Sequence, residues 1–124
     1  MTTGDIGKKL VDYCKNRRNL EAIDNLYSRD IVSIEAMEGP DMPAETRGID
    51  KIREKNKSWF DSNEIHSVSV EGPFPNKDRF AVRYKWDITG KQGQMKGKRI
   101  TIDEVGLYTV KDGNIAREEF FYNM

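Results

Sequence analysis

Few residues in the chain have chemical reach. Asp103 and Glu104 are adjacent acids inside a run rich in β-branched residues, 99–110. Neighbours on a strand point to opposite faces. Only one of the two can face a given core, and that choice decides which acid is buried. Glu35 follows the apolar run 31–34, and Glu118 lies in the last such run, 115–122. His66 is the single histidine and Cys14 the single cysteine. Burial raises a carboxyl pKa, and nearby carboxylates raise one another's. One acid can then donate a proton while another accepts it, and a histidine can take either role. One His and one Cys cannot build a standard zinc site. No phosphate-binding glycine loop or nucleophile elbow is present either. Acid–base chemistry without metal or cofactor is what these residues can supply. Cys14 sits at helical spacing among apolar residues and reads as a small core residue.

These side chains need elements to hold them. Three runs, 79–88, 99–110 and 115–122, are dominated by β-branched and aromatic residues and divided by turn formers, so they read as consecutive strands. Asp112-Gly113 between the last two is a hairpin signal. Upstream, Ile6, Leu10, Val11 and Cys14 recur at helical spacing, and Thr3 or Asp5 can cap a first helix over residues 5–17. Asn19 caps a second helix, with Leu20, Ile23, Leu26 and Tyr27 on one face. Residues 31–37 read as a strand with Ile31, Ser33 and Glu35 on one side. Residues 38–43 read as a loop. Gly48 precedes a third helix over 50–61, its buried stripe marked by Ile49, Ile52, Asn56, Trp59 and Phe60. The basic run Lys51, Arg53, Lys55 and Lys57 fits the solvated side of that helix. From Glu64 a strand places His66, Val68 and Val70 on one face, and 72–78 reads as a wide turn. Helices on one face of a mostly antiparallel meander make an α+β domain. Strand twist curls such a meander into a cone with a pocket.

With 124 residues and no linker or repeat, the chain reads as a single domain, 1–124. There are 21 Lys+Arg against 21 Asp+Glu, a formal net charge of zero. That argues against a nucleic-acid or membrane-surface role driven by bulk charge. The first residues lack a signal peptide's basic and apolar regions, and no apolar run could span a bilayer. A cytoplasmic location is the expectation. Both faces of 99–110 carry apolar residues, so both must be covered. The chain has helices for one face only, which predicts a homodimer through the other.

Several stretches resemble the SnoaL-like branch of the NTF2-like superfamily. They are Leu26-Tyr27-Ser28-Arg29-Asp30-Ile31-Val32, Arg47-Gly48-Ile49-Asp50-Lys51-Ile52-Arg53, and the run from Asp103-Glu104-Val105-Gly106 through Asp112-Gly113-Asn114-Ile115. The resemblance covers essentially the whole chain. It implies an NTF2-like, cystatin-like cone: three helices from the N-terminal half on a strongly curved, mostly antiparallel mixed sheet around a pocket. The superfamily includes isomerases, dehydratases, polyketide cyclases and non-enzymatic binders. By similarity to ketosteroid isomerase, Glu35 matches the general base and Ile102-Asp103 the protonated oxyanion-hole acid, while that enzyme's tyrosine position falls nearest Val11. The same matching places Asp103, Val105 and Leu107 inside, with Phe80, Val82, Tyr84 and Trp86, and with Glu118, Phe120 and Tyr122. Glu104 then points outward with Ile102 and Tyr108.

The resemblance therefore implies a pocket lined by Trp59, Tyr84, Trp86, Phe120 and Tyr122, with Glu35, His66, Asp103 and Glu118 as its polar groups. Asp103, Glu35 and His66 are the catalytic candidates, and Glu118 can alternatively pair with Arg83 or Arg99 across the sheet. The expected activity is isomerase- or cyclase-like acid–base chemistry on a small apolar carbonyl compound. The alternatives are a non-catalytic binder of small apolar ligands or an interaction module. Ile100, Ile102 and Tyr108 become the outer-face dimer contacts.

Overall fold

The computed structural model describes residues 1–39 and 43–123. The expected loop over 38–43 therefore lies partly outside the described residues. The element order is α1 (Thr3–Lys15), α2 (Asn19–Leu26), β1 (Tyr27–Ile34), β2 (Glu45–Arg47), α3 (Ile49–Ser62), β3 (Asn63–Asn76), β4 (Arg79–Gly90), β5 (Arg99–Lys111) and β6 (Asn114–Phe121). The six strands form one sheet in the order β2-β1-β6-β5-β4-β3. Among the strand pairs of the described residues, only β1–β6 is parallel. The expected α+β class, three helices on a mixed and mostly antiparallel sheet, is what the chain adopts.

α1 starts two residues before the expected range of 5–17, and its cap lies one residue before Thr3. Thr2 is the cap: its hydroxyl accepts from the Asp5 N–H, and the Asp5 carboxylate accepts from the Thr2 N–H. This reciprocal pairing satisfies two otherwise orphaned donors. Ile6, Leu10, Val11 and Cys14 form the buried stripe. Helix α1 packs on β3 and β4, while α3 touches β1 and β2 at one end of the sheet and β3 at the other. The core is closed by Ile31, Ile52, Phe80, Val82, Tyr108 and Ile115, each at most 2% exposed.

The wide turn expected at 72–78 is instead the second half of β3, paired with β4 as far as Asn76–Arg79. β3 is an edge strand, where prolines such as Pro73 and Pro75 cost no ladder bond on the open side. Register shifts fall between Ile65 and Ser67 and between Glu71 and Phe74. β1 begins at Tyr27, four residues before the expected strand over 31–37, and its register shifts against β6 between Tyr27 and Val32. The three-residue β2 carries no sequence signal of its own.

Register decides which acid faces in. In β4–β5 pairing Trp86 opposes Ile102, Tyr84 opposes Glu104, Val82 opposes Gly106 and Phe80 opposes Tyr108. Phe80, Val82, Tyr84 and Trp86 are buried, as expected. Directly opposed residues share a face. The inner face of β5 therefore carries Ile100, Ile102, Glu104 and Tyr108, and the outer face carries Asp103, Val105 and Leu107. This reverses the expected parity: Asp103 is outside and Glu104 inside. Ile100, Ile102 and Tyr108 pack in the core and cannot be outer-face contacts.

Candidate functional site

Asp103 pairs with Arg83 across the outer face, with Oδ2 2.8 Å from the guanidinium and about half of the carboxylate side chain exposed. The hydrogen bond from Arg83 holds its carboxyl below the usual range. That is an ion pair on a solvated surface, not a pocket acid. His66 also leaves the expected face. The bulge after Ile65 turns Ile65 inward opposite Ile88, and His66 Nε2 instead lies 2.6 Å from the Thr89 hydroxyl. Thr89 follows the buried Ile88 and faces away from the core. Glu35, His66 and Asp103 therefore do not share one cavity.

Glu35 does face in. Its Oε1 accepts from Lys55 Nζ at 2.9 Å, and its Oε2 accepts from the Tyr122 hydroxyl at 2.9 Å. Lys55 also donates to the buried Ser33 Oγ at 3.0 Å. Lys55 is thus not on the solvated side of α3. It falls one turn from both Ile52 and Trp59 on the apolar stripe, and that spacing is the signal that marks it.

Glu104 stands beside them on β5. Its Oε1 accepts from the Trp86 indole N–H at 3.0 Å. Burial pushes its carboxyl up to about 7; the Trp86 bond and the Lys55 charge oppose this, and the Glu35 and Glu118 charges add to it. Its Oε2 has no hydrogen-bond partner among the described residues. The alternation Ile100, Ile102, Tyr108, Val110 is the sequence signal that finds Glu104.

Glu118 lies deeper, 4% exposed. It accepts from the Tyr27 hydroxyl rather than pairing with Arg83 or Arg99, which bind Asp103 and Asp87. Burial raises its carboxyl pKa. Tyr84 and Tyr108 hydroxyls meet at 2.6 Å, with Cys14 Sγ 3.8 Å from Tyr84. Cys14 is buried and its thiol is pushed up to about 12 by desolvation, so it is an inert core residue. Trp59 sits edge-on to Trp86 with ring centroids 4.8 Å apart, and Phe120 packs on Tyr108. The expected aromatic wall is inside.

The interior thus holds three carboxyl groups, one ammonium and an aromatic wall. At its edge the Lys55 and Glu35 side chains are 33% and 21% exposed. A separate groove of about 520 Å³ lies where α2, β2 and α3 meet, lined by Asp24, Arg29, Arg47, Asp50 and Arg53 among others. Its ions largely pair with one another: Arg53 lies 2.6 Å from Asp24 and 3.0 Å from Asp50. The acids with raised carboxyl pKa lie in the interior, which makes it the candidate site. Among the described residues no cluster has a metal-ligand set, and no helix is long and apolar enough to cross a membrane.

A helix-covered mixed sheet with buried acids facing its helices defines an α+β domain of the NTF2-like, cystatin-like type. The SnoaL-like domain model matches residues 1–122, and the chain belongs to that family. A crystal structure from Mesorhizobium loti, provisionally named a SnoaL-like polyketide cyclase and also labelled carbohydrate phosphatase, is 44% identical. The match covers 98% of this chain and 100% of that one, with a TM-score of 0.90. A cystatin-like protein of unknown function from Xanthomonas campestris aligns over 100% and 92% of the two chains at 16% identity and TM-score 0.78. A ketosteroid isomerase-like fold from Catenulispora acidiphila, bound to trimethylamine, aligns over 99% and 88% at 14% identity and TM-score 0.72. No curated protein matches the chain.

Proposed function

We propose that the interior performs cofactor-free acid–base chemistry on a small apolar carbonyl compound, of the isomerase, dehydratase or cyclase type, with Glu104 moving the proton. The observation that carries this reading is Glu104 itself. Burial lifts its carboxyl to about 7, Trp86 fixes one oxygen, and the other has no partner among the described residues. A general base works best when its pKa lies near the operating pH. Ionised Glu104 takes a proton from carbon, and the acid so formed returns it elsewhere on the same molecule. The cyclase name of the Mesorhizobium loti relative supports the class of chemistry.

The test is deuterium uptake from D2O by a panel of small apolar ketones, followed by mass spectrometry. Wild-type protein exchanges α-protons, and the rate rises as pH passes through about 7. Glu104→Gln lowers exchange by about a hundredfold or more, whereas Asp103→Asn stays within about twofold because its ion pair is exposed. Equal exchange by Glu104→Gln and wild type overturns the reading. Binding without exchange by wild type points to the second reading, a non-catalytic small-ligand binder. That reading is favoured by the tight Trp59–Trp86 contact and by the ligand in the Catenulispora acidiphila relative.

A further inference from the structure

Lys55 has no part yet in that chemistry. An ammonium has three N–H donors and no acceptor. Two are committed, to Ser33 Oγ at 3.0 Å and Glu35 Oε1 at 2.9 Å. The third has no partner among the described residues, and a third of the side chain is open to solvent. Tyr122 donates to the other oxygen of Glu35 at 2.9 Å, so each Glu35 oxygen already accepts a bond. Glu35, expected to be the base, is occupied as the strut that holds Lys55. The charged groups facing this position are Glu35 beyond β1, Glu104 on β5 and Glu118 on β6; the Lys55 charge acts on both Glu104 and Glu118. Among the described residues, Lys55 thus keeps a charged donor, and Glu104 a carboxyl oxygen, without a hydrogen-bond partner.

We propose that Lys55 is a catalytic residue that holds the substrate's carbonyl oxygen, so that the substrate class is a compound with an acidic C–H next to a carbonyl. This rests on the reading of Glu104 as the proton-moving group. In the step, the C–H bond breaks and its proton goes to Glu104 Oε2. The electron pair left on carbon forms a C=C bond, and the carbonyl π pair moves onto oxygen. The Lys55 N–H···O bond strengthens as that oxygen becomes negative. Return of the proton from Glu104 to the same or another carbon restores the carbonyl, so no oxidant or co-reactant is required. A charge-assisted bond is about twice as strong as a neutral one, and it accelerates the step because it is strongest when the charge has developed. A free lysine would swing into water; Ser33 and Glu35 prevent that by anchoring two of its three donors.

The probe is 4-nitrophenolate, whose ionised oxygen stands in for an enolate oxygen, titrated by visible absorbance against wild type, Lys55→Met and Glu104→Gln. Wild type binds, and Lys55→Met weakens binding about tenfold or more. Glu104→Gln keeps Lys55, presents a neutral side chain like that of the protonated acid, and binds at least as tightly as wild type. In wild type the Lys55 ¹³Cε resonance moves with saturation, which decides the matter even if Lys55→Met does not fold. Equal affinity in wild type and a folded Lys55→Met, or an unmoved Lys55 resonance at saturation, overturns the Lys55 role while leaving the Glu104 exchange result standing. No binding by wild type overturns the Lys55 role together with the enolate chemistry it serves.

Discussion

Glu104 is an acid that folding neutralises. Burial favours its protonated form, so the folded chain holds this proton more tightly than the unfolded chain does. Its carboxyl moves from 4.5 to about 7. Between those values folding is linked to proton uptake, and stability falls as pH rises through the window, by on the order of 2–3 kcal/mol. Glutamine is neutral throughout. Glu104→Gln is therefore more stable than wild type at about pH 8, and the gain disappears below about pH 4.5, where both side chains are uncharged. Urea unfolding at the two pH values checks this; a variant less stable than wild type at the higher pH contradicts it. The buried Glu118 has the same sign of shift, and because its charge also acts on Glu104 the two titrations are coupled and both add to the slope. At this scale the sequence was half legible. Glu35 lies on the side that its alternation with Ile31 and Ser33 gives it, and Trp59 on the apolar stripe of α3, while Tyr84, Trp86, Glu118, Phe120 and Tyr122 face inward as the resemblance implies. Asp103 and Glu104 were exchanged because similarity to a distant Ile-Asp pair outweighed the local alternation, in which Ile100, Ile102, Tyr108 and Val110 side with Glu104. His66 was lost to a bulge, which shifts parity without leaving a mark in composition.

The elements that hold the site meet at close range. Gly7 on α1 faces Pro73 of β3 and Phe80 of β4; an added Cβ would lie 2.7 Å from the proline Cβ and 3.1 Å from the phenylalanine ring. Alanine in a helix interior is worth up to about 1 kcal/mol over glycine, but overpacking a closed core costs roughly 1–3 kcal/mol. The neighbours here are a rigid ring and a Phe80 side chain that is 1% exposed, so the clash wins. Gly7→Ala is expected to lower stability by about 1–2 kcal/mol and the melting temperature by several degrees. A higher midpoint in thermal unfolding contradicts this contact. Helices and the β4–β5–β6 meander were readable because both periodicities run for several turns or residues. The second half of β3 was not, because Gly72-Pro73 and Pro75 read as turn formers, and only an edge position explains them. Lys55 was hidden by company: three neighbouring basic residues made a solvated face the simpler reading, although its spacing from Ile52 and Trp59 puts it on the buried one.

On the scale of the whole molecule, one sheet face has helices and the other has none among the described residues. Val105, 37% exposed, lies opposite Phe121, 52% exposed. Phe74, 58% exposed, lies opposite Ala81, which in turn opposes Leu107. This apolar strip replaces the Ile100, Ile102 and Tyr108 set as the surface for the homodimer that we propose. Light scattering at micromolar concentration is expected to give twice the chain mass, and Val105→Glu with Phe121→Glu to give a monomer; a monomeric wild type contradicts the dimer. None of this touches the interior, whose proposed chemistry depends on one acid facing the helices with a pKa near neutrality. The most direct measurement is a ¹³C NMR titration of the Glu104 side-chain carboxyl in the folded protein. An apparent midpoint of about 7 is expected, and a midpoint at the ordinary glutamate value of 4.5 contradicts the role given to Glu104.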